Sequence, residues 1–508
     1  MTRVAVATTS ALAADAAVQV ADAGGNAVDC AIATALVTMN TEPGVCALAG
    51  GAYVTVWAPG EDPATIDGNV GIPGKGLAPE ERGHGAKSVT MEYGGGVSTL
   101  VGPGSVGVPG ALAALARAWR EHGKLPWKAL FEPTIKATRD GFPLSRSCFY
   151  YLTYSGRDIF ARADDGYRAL HRDNDKLREA GSSIVVPHLA DTLEAIANEG
   201  ADVFYKGDIG RAIVEHVRAG NGSLTMRDMT EFEAVRRPAL VTRAGDWDIA
   251  TNPPPAIGGT VLTAMLLACA DLPSDRWDRA SLDRLVRVQR ACLGFRRDHL
   301  DLAEDIGSEA ERLIGMARSG QLLSQWTSSS TVHTSAVDDE GFGCSITASS
   351  GYGSGEMPDG TGLWLNNCLG EIELNRRGLT PGKPGGPLPS NMAPSVCRSD
   401  GKVLAIGTPG ADRITTALHQ VLVNLFELDK SLPNAIAHPR IHVDTSGDAD
   451  RLAAEPGLDL PETDLPVHQF AEPSMYFGGV GAALYDEKTG FEVASDPRRE
   501  GGTSISES

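Results

Sequence analysis

Between Gln325 and Ser350 the chain runs QWTSSSTVHTSAVDDEGFGCSITASS, a pattern that commits this part of the fold to a strand–turn–strand unit. From Thr331 the residues alternate with a period of two. Thr331, His333, Ser335 and Val337 fall on one face, and Val332, Thr334 and Ala336 on the other. Asp338-Asp339-Glu340-Gly341 is a turn, and Cys344 to Ala348 the returning strand. Three serines, Ser328 to Ser330, lead in. Two readings are open at this level. The stretch is an ordinary hydroxyl-rich hairpin, or the chain cuts itself before Thr331 and uses the exposed threonine as a nucleophile.

A chain of 508 residues has room for a large core, divided into two to four domains or built as one wide sheet with insertions. Forty-five lysines and arginines stand against 65 acids, and the net charge of −20 repels phosphate backbones and anionic membranes. Nucleic acid is therefore not an expected partner; a small-molecule substrate is. The eight cysteines contain no C-x-x-C pair, which favours buried reduced thiols over zinc or a disulfide framework. No run of 18 apolar residues suggests a membrane span. Thr8, Thr9, Ser10 and Asp15 interrupt the early apolar residues, so no signal peptide is read and a cytoplasmic location is expected.

Val4 to Ala7 is predicted as a strand, and Ser10 as the cap of a helix that ends at Gly24-Gly25. A second helix is expected from Asn26 to Met39, and others over Ala111–His122 and Trp127–Asp140. Gly258-Gly259 launches a long apolar helix, and Gly407 to Asp412 turns into another over Ile414–Leu428. The stretches from Asp67 to Gly76 and from Gly83 to Gly96 read as irregular. Leu363 to Asn367 reads as a short strand, and Asn375 to Gly386 as a mobile basic segment. The polar tail from Glu500 is expected to be disordered. Gly102-Pro103-Gly104-Ser105-Val106-Gly107 matches G-x-G-x-x-G and precedes a helix. The nearest downstream acid, Glu121, falls inside that helix, so a tight turn accounts for the glycines better than a dinucleotide site.

The chain contains no G-x-S-x-G elbow and no H-E-x-x-H, and its histidines show no paired ligand spacing. No metal or cofactor is called for. Thr331 needs a base, because a threonine hydroxyl alone is a poor nucleophile. Cleavage of the Ser330–Thr331 bond would create an α-amine that titrates near about 7.7–8.0, where a general base should lie. Base and nucleophile would then share one residue.

Over roughly residues 3–495 the chain resembles the γ-glutamyltransferase (γ-glutamyl transpeptidase) family of N-terminal-nucleophile hydrolases. The resemblance is carried by Gly24-Gly25-Asn26-Ala27-Val28-Asp29, Gly50-Gly51, Pro109-Gly110, Phe204-Tyr205-Lys206-Gly207, Pro253-Pro254-Pro255 with Gly258-Gly259, Leu365-Asn366-Asn367, Met392-Ala393-Pro394, Gly407-Thr408-Pro409-Gly410 and His438-Pro439-Arg440. It implies an α+β fold, a four-layer αββα sandwich. It also implies a proenzyme cut at Ser330/Thr331 into a large fragment 1–330 and a small fragment 331–508, which stay together as a heterodimer.

By the same resemblance Thr331 is the nucleophile, Ser349 takes the place of a threonine that hydrogen-bonds it, and Gly410 and Ala411 form the oxyanion hole, usually Gly-Gly. Ser390 and Asn391 stand where the family holds the glutamyl carboxylate. Gly351, Cys368 and Glu371 occupy the positions that bind its amino group, next to Asn367. The arginine-bearing segment, usually beginning Asp-Phe-Arg-Glu, is Asp67-Gly68-Asn69-Val70 here, leaving Arg82 as a distant candidate for the arginine. The implied activity is transfer of an acyl group from Thr331 to water or an amine, with a γ-glutamyl donor such as glutathione as the family default. The alternative is the same machinery on another acyl group, as in acylase-like, oxamate-amidohydrolase-like or secondary-metabolism relatives. An uncleaved homologue that only binds its ligand is the third reading.

Overall fold

The computed structural model describes residues 2–92, 96–270, 276–319, 331–372, 374–411, 413–445 and 449–507. Ser328 to Ser330, with the upstream side of the expected cleavage site, and Asp412 lie outside the described residues.

Thirteen strands build two facing sheets: β1 (Val4–Thr8), β2 (Gly51–Trp57), β3 (Ala64–Gly68), β4 (Val235–Pro238), β5 (Leu240–Ala244), β6 (Trp247–Thr251), β7 (Val332–Asp338), β8 (Gly343–Ser349), β9 (Ser395–Ser399), β10 (Lys402–Gly407), β11 (Gly481–Asp486), β12 (Gly490–Ser495) and β13 (Gly502–Ile505). The first sheet has the order β13-β1-β7-β8-β2-β3-β4 and the second β12-β11-β10-β9-β6-β5. Three helices, α1 (Ala11–Asp22), α2 (Ala27–Thr41) and α3 (Ala111–His122), cover the outer face of the first sheet. On the second sheet lie α4 (Gly258–Cys269), α5 (Arg413–Phe426) and α6 (Leu432–Ala437). The fold is α+β, a four-layer αββα sandwich.

Alternation along the strands explains the layering. Val4, Val6, Ala336 and Ile346 point outward into the core under α1–α3, while Ala5 and Val337 point inward against Val403, Ala405 and Ala483 of the second sheet. The inner layer is narrow because its side chains are small. Hydroxyls that face it bond to carbonyls across the gap: Ser335 Oγ to Gly481 O at 3.1 Å and Ser345 Oγ to Ile406 O at 3.0 Å. His333 belongs to this layer. Its ring fills the space that a Gly407 side chain would take and bonds to Thr347 Oγ1 and Ser335 Oγ at 2.9 and 2.7 Å. Burial pushes the imidazole down to about 3, so it is a neutral packing residue.

Local signals placed the helices well. Ser10 accepts from Ala13 N, and Asn26 with Asp29 forms a capping box. Other expectations are overturned. Residues 502–505 of the polar tail form an edge strand, since pairing with β1 needs only backbone groups, and Ser506 Oγ accepts from Val4 N at 2.8 Å. Asp67 and Gly68 belong to β3, and Lys87–Met91 pairs with Val97–Val101 as a hairpin. Leu365 makes one isolated bridge to Ala49 instead of a strand. The basic segment after Asn375 is a chain of turns tied to the body: Asn375 Nδ2 donates to Leu369 O, and Gly385 N to Ile72 O. Gly102–Gly107 is a packed turn, where a side chain on Gly104 would meet His84 O at 1.8 Å.

Glu42, at the end of α2, yields a prediction. Its carboxyl is buried and accepts from Thr9 Oγ1 at 2.8 Å, and desolvation lifts it from 4.5 to about 7. A raised acid destabilises the fold only when ionised. The penalty is absent below pH 4.5, grows as pH rises, and is complete above about 7. Glu42→Gln is therefore expected to gain about 3 kcal/mol over wild type at pH 8 and almost nothing at pH 4.5. Urea unfolding at both pH values measures this, and an equal gain at each would refute it.

Candidate active site

Thr331 and Ser349 are brought together by strand register. In the β7–β8 ladder Val332 pairs with Ala348 and Thr334 with Ile346. One step further the same register sets Thr331 opposite Ser349, and direct cross-strand partners hold their Cβ atoms about 4.5–5.5 Å apart. Both residues are buried at the end of their strands. The Ser349 hydroxyl accepts from Gly351 N at 3.1 Å. On its other side Ser349 pairs with Gly51 of β2, and Gly50 has to be glycine, since a Cβ there would lie 2.4 Å from Ser349 O.

These residues open onto a narrow cleft of about 30 Å³ lined by Asn69, Thr331, Ser349, Cys368, Glu371, Leu374, Asn375, Leu388, Pro389, Ser390, Asn391, Met392, Ala411 and Ile414. Of the residues singled out in the sequence, Thr331, Ser349, Ala411, Ser390, Asn391, Cys368 and Glu371 are in it. Gly410 supports Ala411 from the adjoining turn. Asn367 is not among the lining residues. It lies behind Gly351, and its amide donates to Thr99 Oγ1 at 2.9 Å and Leu100 O at 3.1 Å. Arg82 is also not among them; its stem packs on Gly74.

Ser390 and Asn391 are delivered by a loop that grips the start of α4. Ile257 N and Gly258 N both donate to Ser390 O, and a side chain on Gly258 would strike Asn391 O at 2.1 Å. That close approach is what Gly258 permits. The Asn391 Nδ2 group is buried and has no hydrogen-bond partner among the described residues, so it is a donor at hand for a ligand. Desolvation and the nearby Glu371 carboxylate push the Cys368 thiol well above its usual range, so it is not a thiolate nucleophile.

At the far wall, β10 ends in Gly407 and the chain turns through Gly410 and Ala411 into α5. Gly410 has φ 134° and Ala411 φ 72°. The second is the left-handed region, which costs an alanine about 1–2 kcal/mol. The turn sits just ahead of the α5 N-terminus, the positive end of that helix's dipole.

The residue that sequence reasoning missed is Asn69. Asp67 anchors it: its Oδ1 accepts from Asn69 N at 3.1 Å while its Oδ2 pairs with Arg237 at 2.9 Å. Asn69 Nδ2 then donates to Leu388 O at 2.9 Å. Its place, third in Asp67-Gly68-Asn69-Val70, was the available signal. The described lining includes Glu371 but neither lysine nor arginine. Among the described residues no three His, Cys, Asp or Glu side chains gather as a metal ligand set, and no described helix is long and apolar enough to cross a membrane.

Residues 13–506 match the gamma-glutamyltranspeptidase family model. The chain belongs to that family. It is accordingly a γ-glutamyltranspeptidase-family enzyme, of the acyltransferase and amide-hydrolase kind. A glutathione hydrolase proenzyme of Pseudomonas aeruginosa is 29% identical over 530 residues, covering 96% of this chain and 91% of the relative. Another, from Escherichia coli, is 25% identical and covers 86% and 80%. Among solved structures, cephalosporin acylase from Bacillus halodurans superposes with a TM-score of 0.78 at 21% identity, over 99% of this chain and 96% of the other. At that identity the likeness concerns the fold.

Proposed function

We propose that the chain cleaves itself between Ser330 and Thr331, and that the freed Thr331 is the nucleophile of an amide-cleaving acyltransferase. The fragments 1–330 and 331–508 stay associated. The observation that carries this reading is the meeting of Thr331, Ser349 and the Gly410–Ala411 turn at one cleft. In the maturation step the Thr331 hydroxyl adds to the Ser330 carbonyl and displaces the Thr331 nitrogen, leaving an ester that water hydrolyses. In turnover the new α-amine takes the hydroxyl proton as Thr331 Oγ1 attacks the donor carbonyl. The N–H groups of the turn receive the oxyanion, each donor worth about 2.7–4 kcal/mol. The leaving amine departs with a proton, and water or a second amine takes the acyl group from Thr331.

A γ-glutamyl donor is the family default. Asn69 favours a second reading for the acyl group. An amide cannot form the bidentate charge-assisted pair that an arginine makes with a carboxylate. A cleft with Glu371 as its described charged group suits an acyl chain that bears an amine and no carboxylate. On this reading 4-aminobutyryl p-nitroanilide is turned over with kcat/KM at least tenfold above that of γ-glutamyl p-nitroanilide, and Asn69→Arg moves the ratio toward the γ-glutamyl compound. A wild type that prefers the γ-glutamyl anilide overturns this second reading and leaves the first in place. The substrate is a small molecule, and the expected location is cytoplasmic.

A further inference from the structure

Behind the oxyanion turn lies a fully buried group of four charges: Arg440, Glu455, Asp496 and Arg498, whose side chains are at most 2% exposed. Arg440 Nη1 pairs with Asp496 Oδ2 at 2.7 Å, Arg498 Nη1 with Asp496 Oδ1 at 3.0 Å, and Arg498 Nε with Glu455 Oε1 at 2.7 Å. Two cations and two anions balance. Such a group is costly to desolvate and is a weak source of net stability, so its worth is sought in what it holds.

Its arginines cap the end of α6 at Ile436 O and His438 O, and the cluster holds the loop Ser474–Val480 at three points. Glu455 Oε1 accepts from Ser474 N at 2.9 Å, Arg440 Nη1 donates to Phe477 O at 3.0 Å, and Asp496 Oδ2 accepts from Val480 N at 2.9 Å. The loop from Ser474 to Val480 in turn presses on the oxyanion turn. Gly478 Cα would be 2.9 Å from any Cβ on Gly410, and a Cβ on Gly478 would be 2.8 Å from Thr408 Oγ1 and 3.1 Å from Pro409 O. Thr408 Oγ1 accepts from Gly479 N at 2.9 Å and donates to Pro409 O at 2.6 Å, joining loop to turn.

We propose that the Arg440–Glu455–Asp496–Arg498 cluster is a positioning device for catalysis, which clamps the Ser474–Val480 loop through Thr408 onto the Gly410–Ala411 turn and so aims the two N–H donors. This rests on the reading of Thr331 as nucleophile and of that turn as the oxyanion site. None of the four side chains lines the cleft. The left-handed Ala411 is a conformation that persists only when its surroundings over-determine it, and the clamp supplies that constraint.

The test uses processed protein and p-nitrophenyl acetate, whose acetyl group asks nothing of the side-chain pocket. Thr408→Val and Asp496→Asn are each expected to lower kcat at least tenfold with KM within twofold of wild type, and Thr408→Ser to recover most of the loss. Wild-type kcat in both variants, or a fall in melting temperature without a fall in kcat, overturns the proposal. If Asp496→Asn does not fold, Thr408→Val decides alone. Hydrolysis that survives in Thr331→Ala removes instead the reading on which the proposal rests.

Discussion

Thr331→Ala is expected to leave the chain in one piece and to abolish turnover. The methyl group can neither attack the Ser330 carbonyl nor carry an acyl group, and with no cut there is no α-amine to act as base. Loss of a nucleophile of this kind costs on the order of a million-fold in kcat. Two measurements suffice: a denaturing gel, and N-terminal sequencing of the smaller wild-type fragment, which should begin Thr-Val-His. His333 cannot replace the amine: burial lowers its imidazole to about 3, too weak a base at neutral pH, and both ring nitrogens are held by hydroxyls. A wild type that stays uncut under native conditions, or a Thr331→Ala chain that still splits at this junction, would falsify the mechanism.

Gly410→Ala carries the second large effect, and Ala411→Gly one of opposite sign. At Gly410 a new Cβ would sit 2.9 Å from backbone, Gly478 Cα, at a φ of 134°. Neither partner can yield cheaply, so turn and loop must separate and the donors lose their aim. A fall in kcat of about 10²–10³ is expected, as for loss of an oxyanion donor. Ala411→Gly removes a Cβ from a left-handed residue. It regains about 1–2 kcal/mol of strain, offset by roughly 0.5–1 kcal/mol of added chain entropy in the unfolded state, so its melting temperature should rise slightly. Activity assays and thermal melts on the two variants check both signs. Gly410→Ala with wild-type kcat would mean that the turn is not part of the chemistry.

Thr331 and the turn at Gly410–Ala411 were legible from local pattern, and Ser349 through the family resemblance. Eighteen residues separate Thr331 from Ser349, and in the fold the hairpin turn at Asp338–Gly341 is what makes that spacing a cross-strand pair. A glycine-rich turn before an apolar helix likewise pointed to Gly410 and Ala411. Asn69 was not legible in the same way, because what brings it to the cleft is the long-range pairing of β2, β3 and β8 and the Asp67–Arg237 pair. The Ser474–Val480 loop carries no motif at all; it is fixed by charges at Arg440, Glu455 and Asp496, which are distant in sequence from one another. Asn367, next in sequence to the cleft-lining Cys368, gives its amide N–H groups to Thr99 and Leu100 and not to the cleft. Residues 502–505 looked unstructured because edge pairing leaves almost no mark on side-chain pattern.

The order β13-β1-β7-β8-β2 has a consequence for the mature protein. β1 and β2 precede the proposed cut, whereas β7, β8 and β13 follow it, so strands of the two fragments alternate across one sheet. Separating the fragments would mean unzipping four ladders, three in this sheet and the β6–β9 ladder of the second, and opening the cores they cover. A complex cut in this way would have no dissociation constant in the ordinary sense, and dilution should not inactivate it. Its lifetime is an unfolding rate. Cutting one peptide bond changes the covalent count of chains while the architecture that encloses the new N-terminus keeps them a single folding unit.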